Sequence, residues 1–509
     1  MAKIMRAEEA ISTFVKDGDT VAFGGFVGSA HAEELSATIQ QMYLEKGFPS
    51  NLTLIYAAGQ GDGKERGLNH LGEEGLVRKV IGGHWNLSPK LQKLALENKM
   101  AAYNLPQGVI IHLYREIAAG RPGVITHVGL GTFVDPRLEG GKLNQKAAEE
   151  GDLVQVINLN GQEKLFYPSI PIQVGFLRAT YADTQGNCTM QNEGTISENI
   201  ALAQAVKNSG GHVIVQVEGV VDYKSLDTRL VKLPSNLVDA IVVAKPENHM
   251  QTYGQQYNPA YSGTVRIPVE DIPPLPLDAR KVVARRAAME LIPGAVVNLG
   301  IGMPECVAAV AAEDGKADMF LTTEAGTNGG VPAGGLDFGV AANPDCIMDS
   351  PSQFDFYDGG GLDLAFLGLA QMDKHGNVNV SKFGPKIAGC GGFINISQNA
   401  KKVVFCGTFT AGSLKERIDA QGVVILAEGR TKKLVEQVEQ ITFSAATAVK
   451  TGQPVLYITE RAVFELTAEG VALREIAPGI DLEKDVLSQM DFRPIIEDVK
   501  LMDASLFAQ

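Results

Sequence analysis

The sequence predicts an α/β protein that consists of two related open α/β domains with mainly parallel sheets. Strand-sized runs of Val, Ile, Leu and Phe alternate along the chain with Ala-rich amphipathic segments. "TVAFGGF" (20–26) precedes "AHAEELSATIQQMYLEK" (30–46), and "AVVNLGIG" (295–302) precedes "PECVAAVAAEDG" (304–315). Near-continuous apolar strands that alternate with helical segments are typical of parallel sheets covered by helices on both faces.

The two halves of the chain also resemble each other. Three pairs of similar segments follow in the same order, which favours duplication of one α/β domain over coincidental similarity between generic α/β units. The pairs are "AEEAISTFVKDGDTVAFGGFVG" (7–28) with "ARRAAMELIPGAVVNLGIGMP" (284–304), "FLRATYADTQGNCTM" (176–190) with "FLGLAQMDKHGNVNV" (366–380), and "GGHVIVQVEGV" (210–220) with "AKKVVFCGTF" (400–409).

A Pro-rich segment near the midpoint of the chain marks the predicted domain boundary. Residues 257–281 contain five prolines and little hydrophobic periodicity, which is typical of a linker. We therefore predict an N-terminal domain at 1–256, a linker at 257–281 and a C-terminal domain at 282–509.

Composition and charge argue against several classes of protein. The chain has 45 Lys and Arg against 59 Asp and Glu, a net charge of −14, which disfavours binding to nucleic acid or to an anionic membrane. The apolar runs are strand-sized, well short of the ~20 residues that a membrane-spanning helix needs. The N-terminus does not read as a secretory signal, so we expect a cytoplasmic protein. The five cysteines are scattered, with no CxxC pair and no His at metal spacing, and we expect them to be reduced.

Two strand-to-helix turns are rich in glycine. The first, "GGFVGSA", contains Gly24, Gly25 and Gly28, and the second, "GIGMPEC", has Glu305 where a dinucleotide fingerprint needs its third glycine. A nicotinamide dinucleotide site is therefore disfavoured. Both turns keep backbone N–H groups at a helix N-terminus that suit an oxyanion or a carboxylate, and simple packing of strand on helix is the alternative.

Glu324 ends a strand-sized apolar segment, "MFLTT", and precedes a glycine-rich loop. The carboxyl end of a strand in an α/β sheet is the edge where ligands bind, and glycines allow a substrate to come close. From this stretch alone, a surface glutamate in front of a loop remains the alternative.

Several separate segments together resemble the family I CoA-transferases, in particular the single-chain branch that acts on short-chain acyl-CoAs such as those of acetate and propionate. These segments span nearly the whole chain. They are "GGFVGS" (24–29), "HLYREIAAGRPGVITHVGLGTFVDPRLEGGKLN" (112–144), "NLGIGMP" (298–304), "TTEAGTNGGVPAGG" (322–335) and "AGCGGFINISQNAKKVVF" (388–405). Other branches have "ENG" or "ESG" where this chain has "EAG", which puts the choice of substrate in doubt more than the type of reaction.

The resemblance implies covalent catalysis by Glu324. A carboxylate with a reference pKa of about 4.3 is ionised at neutral pH and can attack a thioester without a base. Attack would give a glutamyl anhydride and then a glutamyl-CoA thioester, in a ping-pong cycle that uses acyl-CoA and short-chain carboxylates as substrates. The resemblance implies no metal or redox cofactor. Coenzyme A is a substrate of the reaction and is not counted as a cofactor.

The resemblance also implies the surroundings of the nucleophile. Gln107 and the backbone N–H of Gly392 would form the oxyanion hole, which typically contributes a factor of ~10² to 10³ in rate per donor. Asn298 would lie near the thioester or the pantetheine arm. The remaining expected substrate contacts are Gly24, Gly25, Phe26, Gly300, Gly302, Gly391 and Lys386, where a solvated surface lysine is an equal alternative for Lys386.

Three alternative functions stay open from the sequence. A thioesterase would use the same anhydride with water as the acceptor, a CoA-binding or carboxylate-binding protein would keep the fold without turnover, and a nicotinamide oxidoreductase is disfavoured by both glycine turns. Acetate, propionate, butyrate and lactate cannot be ranked as substrates. Large α/β chains usually form closed symmetric assemblies, so we expect a homodimer or a homotetramer.

Overall fold

The computed structural model describes residues 2–268, 275–315 and 318–508. Their packing divides the chain into two units. Unit 1 contains Met1–Ile267, Thr323–Asp355 and Pro385–Asn395, and unit 2 contains Pro268–Thr322, Phe356–Gly384 and Ile396–Gln509.

The main sheet of unit 1 has eight strands, all paired in parallel, in the order β1-β8-β7-β6-β2-β3-β4-β5. Its interior strands are almost wholly buried, as the near-continuous apolar runs predicted. The strands are β1 (Lys3–Ile4), β2 (Thr20–Phe23), β3 (Leu52–Tyr56), β4 (Val77–Gly82), β5 (Ala101–Asn104), β6 (Val174–Arg178), β7 (His212–Val217) and β8 (Ala240–Val243).

The main sheet of unit 2 runs in the order β10-β9-β11-β12-β13-β14-β15-β16. Strands from β10 to β13 pair in parallel, β13, β14 and β15 pair antiparallel, and β15 pairs with β16 in parallel. The strands are β9 (Ala295–Leu299), β10 (Met319–Thr322), β11 (Leu364–Gly368), β12 (Lys402–Cys406), β13 (Val455–Ile458), β14 (Ala462–Thr467), β15 (Gly470–Ile476) and β16 (Ile495–Leu501).

The two units share one strand order. Unit 1 has β8-β7-β6-β2-β3 where unit 2 has β13-β12-β11-β9-β10. The three repeated sequence segments fall on equivalent strands, since β2 corresponds to β9, β6 to β11 and β7 to β12. The prediction of two related α/β domains with mainly parallel sheets is therefore confirmed.

The helices follow the expected alternation with strands. The segment predicted at 30–46 forms α2, which begins at Glu33 and ends at Lys46, because Gly47 takes a left-handed conformation with φ 68°. The helices are α1 (Ala7–Phe14), α2 (Glu33–Lys46), α3 (Pro89–Leu96), α4 (Gln107–Ala118), α5 (Gln145–Glu150), α6 (Asn199–Asn208), α7 (Ala279–Ala288), α8 (Cys306–Glu313), α9 (Ser350–Asp358), α10 (Phe393–Asn399) and α11 (Ala445–Thr451).

Further short strands lie in the connections. They are Gly123–Thr126, Gln155–Leu159, Gln162–Pro168, Tyr181–Asp183, Cys188–Thr189, Gly219–Val221, Val231–Leu233, Thr327–Asn328, Val331–Pro332, Ala341–Ala342, Cys346–Ile347, Gln371–Asp373, Val378–Asn379, Lys382–Phe383, Lys386–Ile387, Thr410–Ala411, Lys415–Asp419, Gly422–Ala427, Thr431–Lys432 and Leu434–Val435. Among the described helices, none combines the length and the apolar character that crossing a membrane requires.

The packing units do not follow the order of the sequence. Two segments from the second half of the chain, 323–355 and 385–395, pack with N-terminal residues in unit 1. Backbone hydrogen bonds explain this for the second segment, because Trp85 N donates to Ala388 O at 2.7 Å and Gly391 N donates to Gly83 O at 2.8 Å.

The predicted domain boundaries, with the N-terminal domain ending at 256 and the C-terminal domain beginning at 282, stay a prediction. Residues 269–274 of the predicted linker lie outside the described residues. Helix α7 already begins at Ala279, inside the range predicted for the linker, and the Asp278 side chain caps it by accepting from Lys281 N.

Candidate active site

Two loops at the carboxyl ends of strands in unit 1 contain predicted site residues: Gly24, Gly25 and Phe26 follow β2, and Gln107 follows β5. Strands β2, β3, β4 and β5 are parallel neighbours, so the loops that follow them share one edge of the sheet. Phe26, after β2, bridges to Ala58, after β3. A Cβ atom built at Gly59 would lie 2.5 Å from His84 Nδ1, so the loops after β3 and β4 also touch.

The segment around Gly391 is bonded across this edge. Gln107 N donates to Gly391 O at 2.9 Å, and Cys390 N donates to the side-chain oxygen of Asn104 at 2.9 Å. Because Gly391 N also donates to Gly83 O, the segment is fixed to the loops after both β4 and β5. These contacts place Gly391 and Gly392 beside Gln107, the first residue of helix α4.

The Glu324 side chain lies directly against Gly392. A Cβ atom built at Gly392 would be 3.1 Å from Glu324 Cγ, 3.4 Å from Glu324 Oε1 and 3.3 Å from Phe354 Cζ. Glu324 is buried, with 9% of its surface exposed. A residue with a side chain at position 392 would crowd the carboxylate, so glycine is what allows this approach.

The buried side-chain amide of Gln107 lies beside Gly391. The residue is 3% exposed, and its Nε2 has no hydrogen-bond partner among the described residues. Its Oε1 lies 3.8 Å from the position of a Cβ built at Gly391. A buried donor without a partner destabilises the folded protein by about 1–3 kcal/mol, and a ligand with an acceptor oxygen would remove this destabilisation.

The glycine turn after β2 is hydrogen-bonded to the buried carboxyl group of Glu198, a residue that the sequence patterns did not single out. Gly25 N donates to Glu198 Oε1 at 3.3 Å, and Ser350 Oγ donates to Glu198 Oε2 at 3.3 Å. Burial raises the pKa of Glu198 to about 7, although the hydrogen bonds from Gly25 and Ser350 act in the opposite direction. Neighbouring Gly24 has no room for a side chain, since a Cβ there would lie 2.3 Å from the Asn199 side-chain oxygen.

Glu198 makes stability depend on pH. Its folded-state pKa of about 7 exceeds the ordinary value of 4.5, so the folded protein holds a proton that the unfolded chain has lost between these values. Stability should therefore decrease as pH rises through this window, by on the order of 3 kcal/mol. A Glu198→Gln variant, which stays neutral, should lack this decrease. Denaturant titrations of both proteins at about pH 5 and about pH 8 measure the difference, and parallel pH profiles would contradict the assignment.

The remaining predicted residues occupy two places. Asn298, Gly300 and Gly302 lie in unit 2 at the carboxyl end of β9. Asn298 is fully buried and its Nδ2 donates to Thr322 O and to the Tyr357 hydroxyl, both at 3.3 Å. Gly300 N donates to Phe366 O at 2.8 Å. Lys386 lies in unit 1 on the exposed start of a short strand, and its positive charge helps to lower the pKa of His84.

Sequence reasoning missed His84 and Glu198 in particular. His84 follows β4 in "IGGHWN" and has no motif around it, and Glu198 precedes an otherwise apolar helix in "ISENIALAQAV". A carboxylate at the start of an apolar helix was a signal for Glu198. For His84 the sequence contains no comparable signal.

The fold defines an α/β protein with loops at the carboxyl ends of its parallel strands, the edge where proteins of this class usually bind ligands. The sequence pattern of the family described as Coenzyme A transferase matches residues 4–244. Caffeate CoA-transferase of Acetobacterium woodii is 50% identical over 517 aligned residues, covering 100% of this chain and 98% of that protein. Acetate CoA-transferase YdiF of Escherichia coli (strain K12) is 44% identical over 506 residues, covering 99% of this chain and 95% of that protein.

Solved structures agree. The crystal structure of the acyl-CoA transferase YdiF apoenzyme from Escherichia coli O157:H7 superposes with a TM-score of 0.94 at 43% identity, covering 99% of this chain and 96% of that one. A thioester complex of that enzyme with CoA superposes equally well, with a TM-score of 0.94. This chain therefore belongs to the CoA-transferase family and is a CoA-transferase.

Proposed function

We propose that the protein transfers CoA from a short-chain acyl-CoA to a free carboxylic acid, with Glu324 as a covalent nucleophile. The observation that carries the proposal is the contact of the buried Glu324 carboxylate with Gly392, next to the buried Gln107 amide, whose Nε2 has no partner among the described residues. A nucleophile and a donor for an oxyanion are the two parts that acyl transfer from a thioester requires.

The proposed chemistry has two half-reactions. A carboxylate oxygen of Glu324 attacks the thioester carbon, and the tetrahedral intermediate carries its negative charge on the former carbonyl oxygen. Gln107 Nε2 and the backbone N–H of Gly392 stabilise that oxyanion. The C–S bond then breaks, which leaves a glutamyl anhydride and CoA thiolate.

The thiolate next attacks the glutamyl carbon of the anhydride. The bond between the glutamyl carbon and the bridging oxygen breaks, the first carboxylate leaves with that oxygen, and CoA remains on Glu324 as a thioester. A second carboxylate enters and the same steps run in reverse, so that a new acyl-CoA is released and the Glu324 carboxylate is restored. None of these steps moves an electron to or from a redox cofactor.

Packing behind the glycine turn supports a small acyl group. The rings of Phe26 and Phe338 have their centroids 5.7 Å apart. A Cβ built at Gly339 would lie 2.3 Å from Phe26 Cδ1, and one built at Gly194 would lie 2.5 Å from Val340 Cγ1. Phe26 is therefore closely packed against Phe338 and Gly339, which favours a short-chain acid such as acetate over a large aromatic acid such as caffeate, although relatives are named for both substrates.

A covalent adduct tests the proposed mechanism. When the protein is incubated with acetyl-CoA and no acceptor, then digested, we expect a CoA-thioester mass on the peptide that contains Glu324. The Glu324→Ala variant is the control and should show no adduct. Absence of the adduct together with full activity of Glu324→Ala would refute the mechanism. CoA release from acetyl-CoA at the same rate with and without an acceptor acid would instead favour a thioesterase, and binding without turnover would favour a CoA-binding protein.

A further inference from the structure

His84 lies between two glycines at the edge of unit 1 that holds Gln107 and Glu324. A Cβ built at Gly59 would lie 2.5 Å from His84 Nδ1, and one built at Gly391 would lie 3.7 Å from both Cβ and Cδ2 of His84. Both glycines have a positive φ, 59° for Gly59 and 51° for Gly391. The imidazole therefore fills space that is open because Gly59 lacks a side chain, and it lies within van der Waals range of the Cβ position of Gly391.

The backbone around His84 is fixed to the segment that carries Gly391. Gly83 O accepts from Gly391 N at 2.8 Å, and Trp85 N donates to Ala388 O at 2.7 Å. The same Gly83 O also accepts from the Asn104 side-chain amide at 2.6 Å. The backbone on both sides of His84 is thus fixed to this segment, and the imidazole lies beside Gly391.

Gly391 joins His84 to the proposed oxyanion donors. A Cβ atom built at Gly391 would lie 3.7 Å from His84 Cδ2 and 3.8 Å from Gln107 Oε1. The next residue, Gly392, contacts Glu324. The His84 ring has no hydrogen bond to any described residue, although the residue is half-buried. Nδ1 faces Gly59, and Cδ2, the carbon bonded to Nε2, faces Gly391.

We propose that His84 is a further catalytic residue, whose Nε2–H donates a hydrogen bond to the oxyanion of the tetrahedral intermediate beside Gln107. The inference rests on the proposed glutamyl mechanism and adds a third donor to it. Its chemistry is donation only, so no proton is transferred and the balance of each half-reaction is unchanged.

The charge state of His84 suits this role. Burial and the positive charge of Lys386 lower the pKa of His84 to about 4. The imidazole is therefore neutral near pH 7, where it keeps one N–H and does not pair electrostatically with the Glu324 carboxylate in the ground state. A donor that interacts more strongly with the developing oxyanion than with the ground state raises kcat rather than affinity.

The test compares two variants that separate donation from packing. His84→Phe keeps a ring in the space beside Gly59 and Gly391 and removes the donor, whereas His84→Gln keeps an N–H donor and loses the ring. The probe is the rate at which acetyl-CoA, without acceptor, labels Glu324 in rapid-quench mass spectrometry. We expect labelling to slow by about 10²-fold in His84→Phe and by less than about tenfold in His84→Gln, with little change in KM for acetyl-CoA in either.

Other outcomes decide against the inference. Labelling of His84→Phe at the wild-type rate, or slower labelling of His84→Gln than of His84→Phe, would overturn the catalytic role and indicate packing, while leaving the proposed function intact. If the wild-type protein itself does not label Glu324, the proposed function fails and the role of His84 fails with it. Thermal unfolding of the three proteins verifies that the variants are folded when they are assayed.

Discussion

A Glu324→Asp variant is expected to lose at least about 10²-fold in kcat, because the carboxylate retracts by ~1.5 Å, the length of one C–C bond. Glu324 Cγ and Oε1 lie against Gly392 in the wild-type protein, and a shorter side chain cannot hold its oxygen at the same place. The variant keeps the charge and almost all of the volume, so the loss would report on attack geometry. Steady-state transfer of CoA from acetyl-CoA to a second acid measures kcat, and peptide mass measures the adduct.

A surface glutamate provides the control for Glu324→Asp. Glu149 is exposed in helix α5 and accepts a hydrogen bond from Gln145 Nε2 at 3.1 Å. Glu149→Asp should transfer CoA at the wild-type rate. Normal kcat in Glu324→Asp would mean that the position of this carboxylate does not limit the reaction, and it would remove Glu324 from the role of nucleophile.

The sequence predicts the architecture well because the relevant signals are local. Burial on both faces makes parallel strands apolar throughout, and the three repeated segments fall on equivalent strands of the two units. The end of α2 is also local, since Gly47 adopts the left-handed conformation that stops a helix. Such features depend on a few neighbouring residues and are visible without the fold.

The site was predictable only in part, because its contacts join distant residues. The hydrogen bond between Gln107 N and Gly391 O joins residues 284 positions apart, and no sequence motif predicts it. Gln107 and Gly392 were predicted through resemblance to a family, whereas His84 has no motif around it and Glu198 is marked only by its place in front of an apolar helix. Their neighbours are set by tertiary packing, which is also what raises the pKa of Glu198 and lowers that of His84.

The same reason explains the composition of unit 1. Local patterns identify 323–355 and 385–395 as connections rich in glycine, but they do not indicate the sheet against which a connection packs. Long-range hydrogen bonds, including those with Gly83, Trp85, Asn104 and Gln107, join the second of these segments to unit 1. A glutamate that follows β10 in sequence thus belongs with loops from the other end of the chain.

Gln107→Ala is expected to reduce kcat by about 10² to 10³-fold while leaving the free energy of unfolding nearly unchanged. The two effects separate because the Nε2 group has no hydrogen-bond partner among the described residues. Removing an unpartnered buried donor costs the folded state no hydrogen bond, but it removes a donor to the oxyanion. Transfer assays give kcat and KM, and denaturant titration gives the stability.

Gln173→Ala is the matched control. Gln173 lies just before the amino end of β6, at the edge of the sheet opposite to the proposed site. Its side-chain Oε1 accepts a hydrogen bond from Thr20 N at 2.9 Å. This variant should lose about 1 kcal/mol of stability and keep its kcat, the reverse of the pattern for Gln107→Ala. Gln107→Glu sharpens the comparison, since a carboxylate at this position would repel the oxyanion and should be at least as slow as alanine. If Gln107→Ala instead unfolds easily and turns over at the wild-type rate, Gln107 is a packing residue and the oxyanion must be stabilised by other groups.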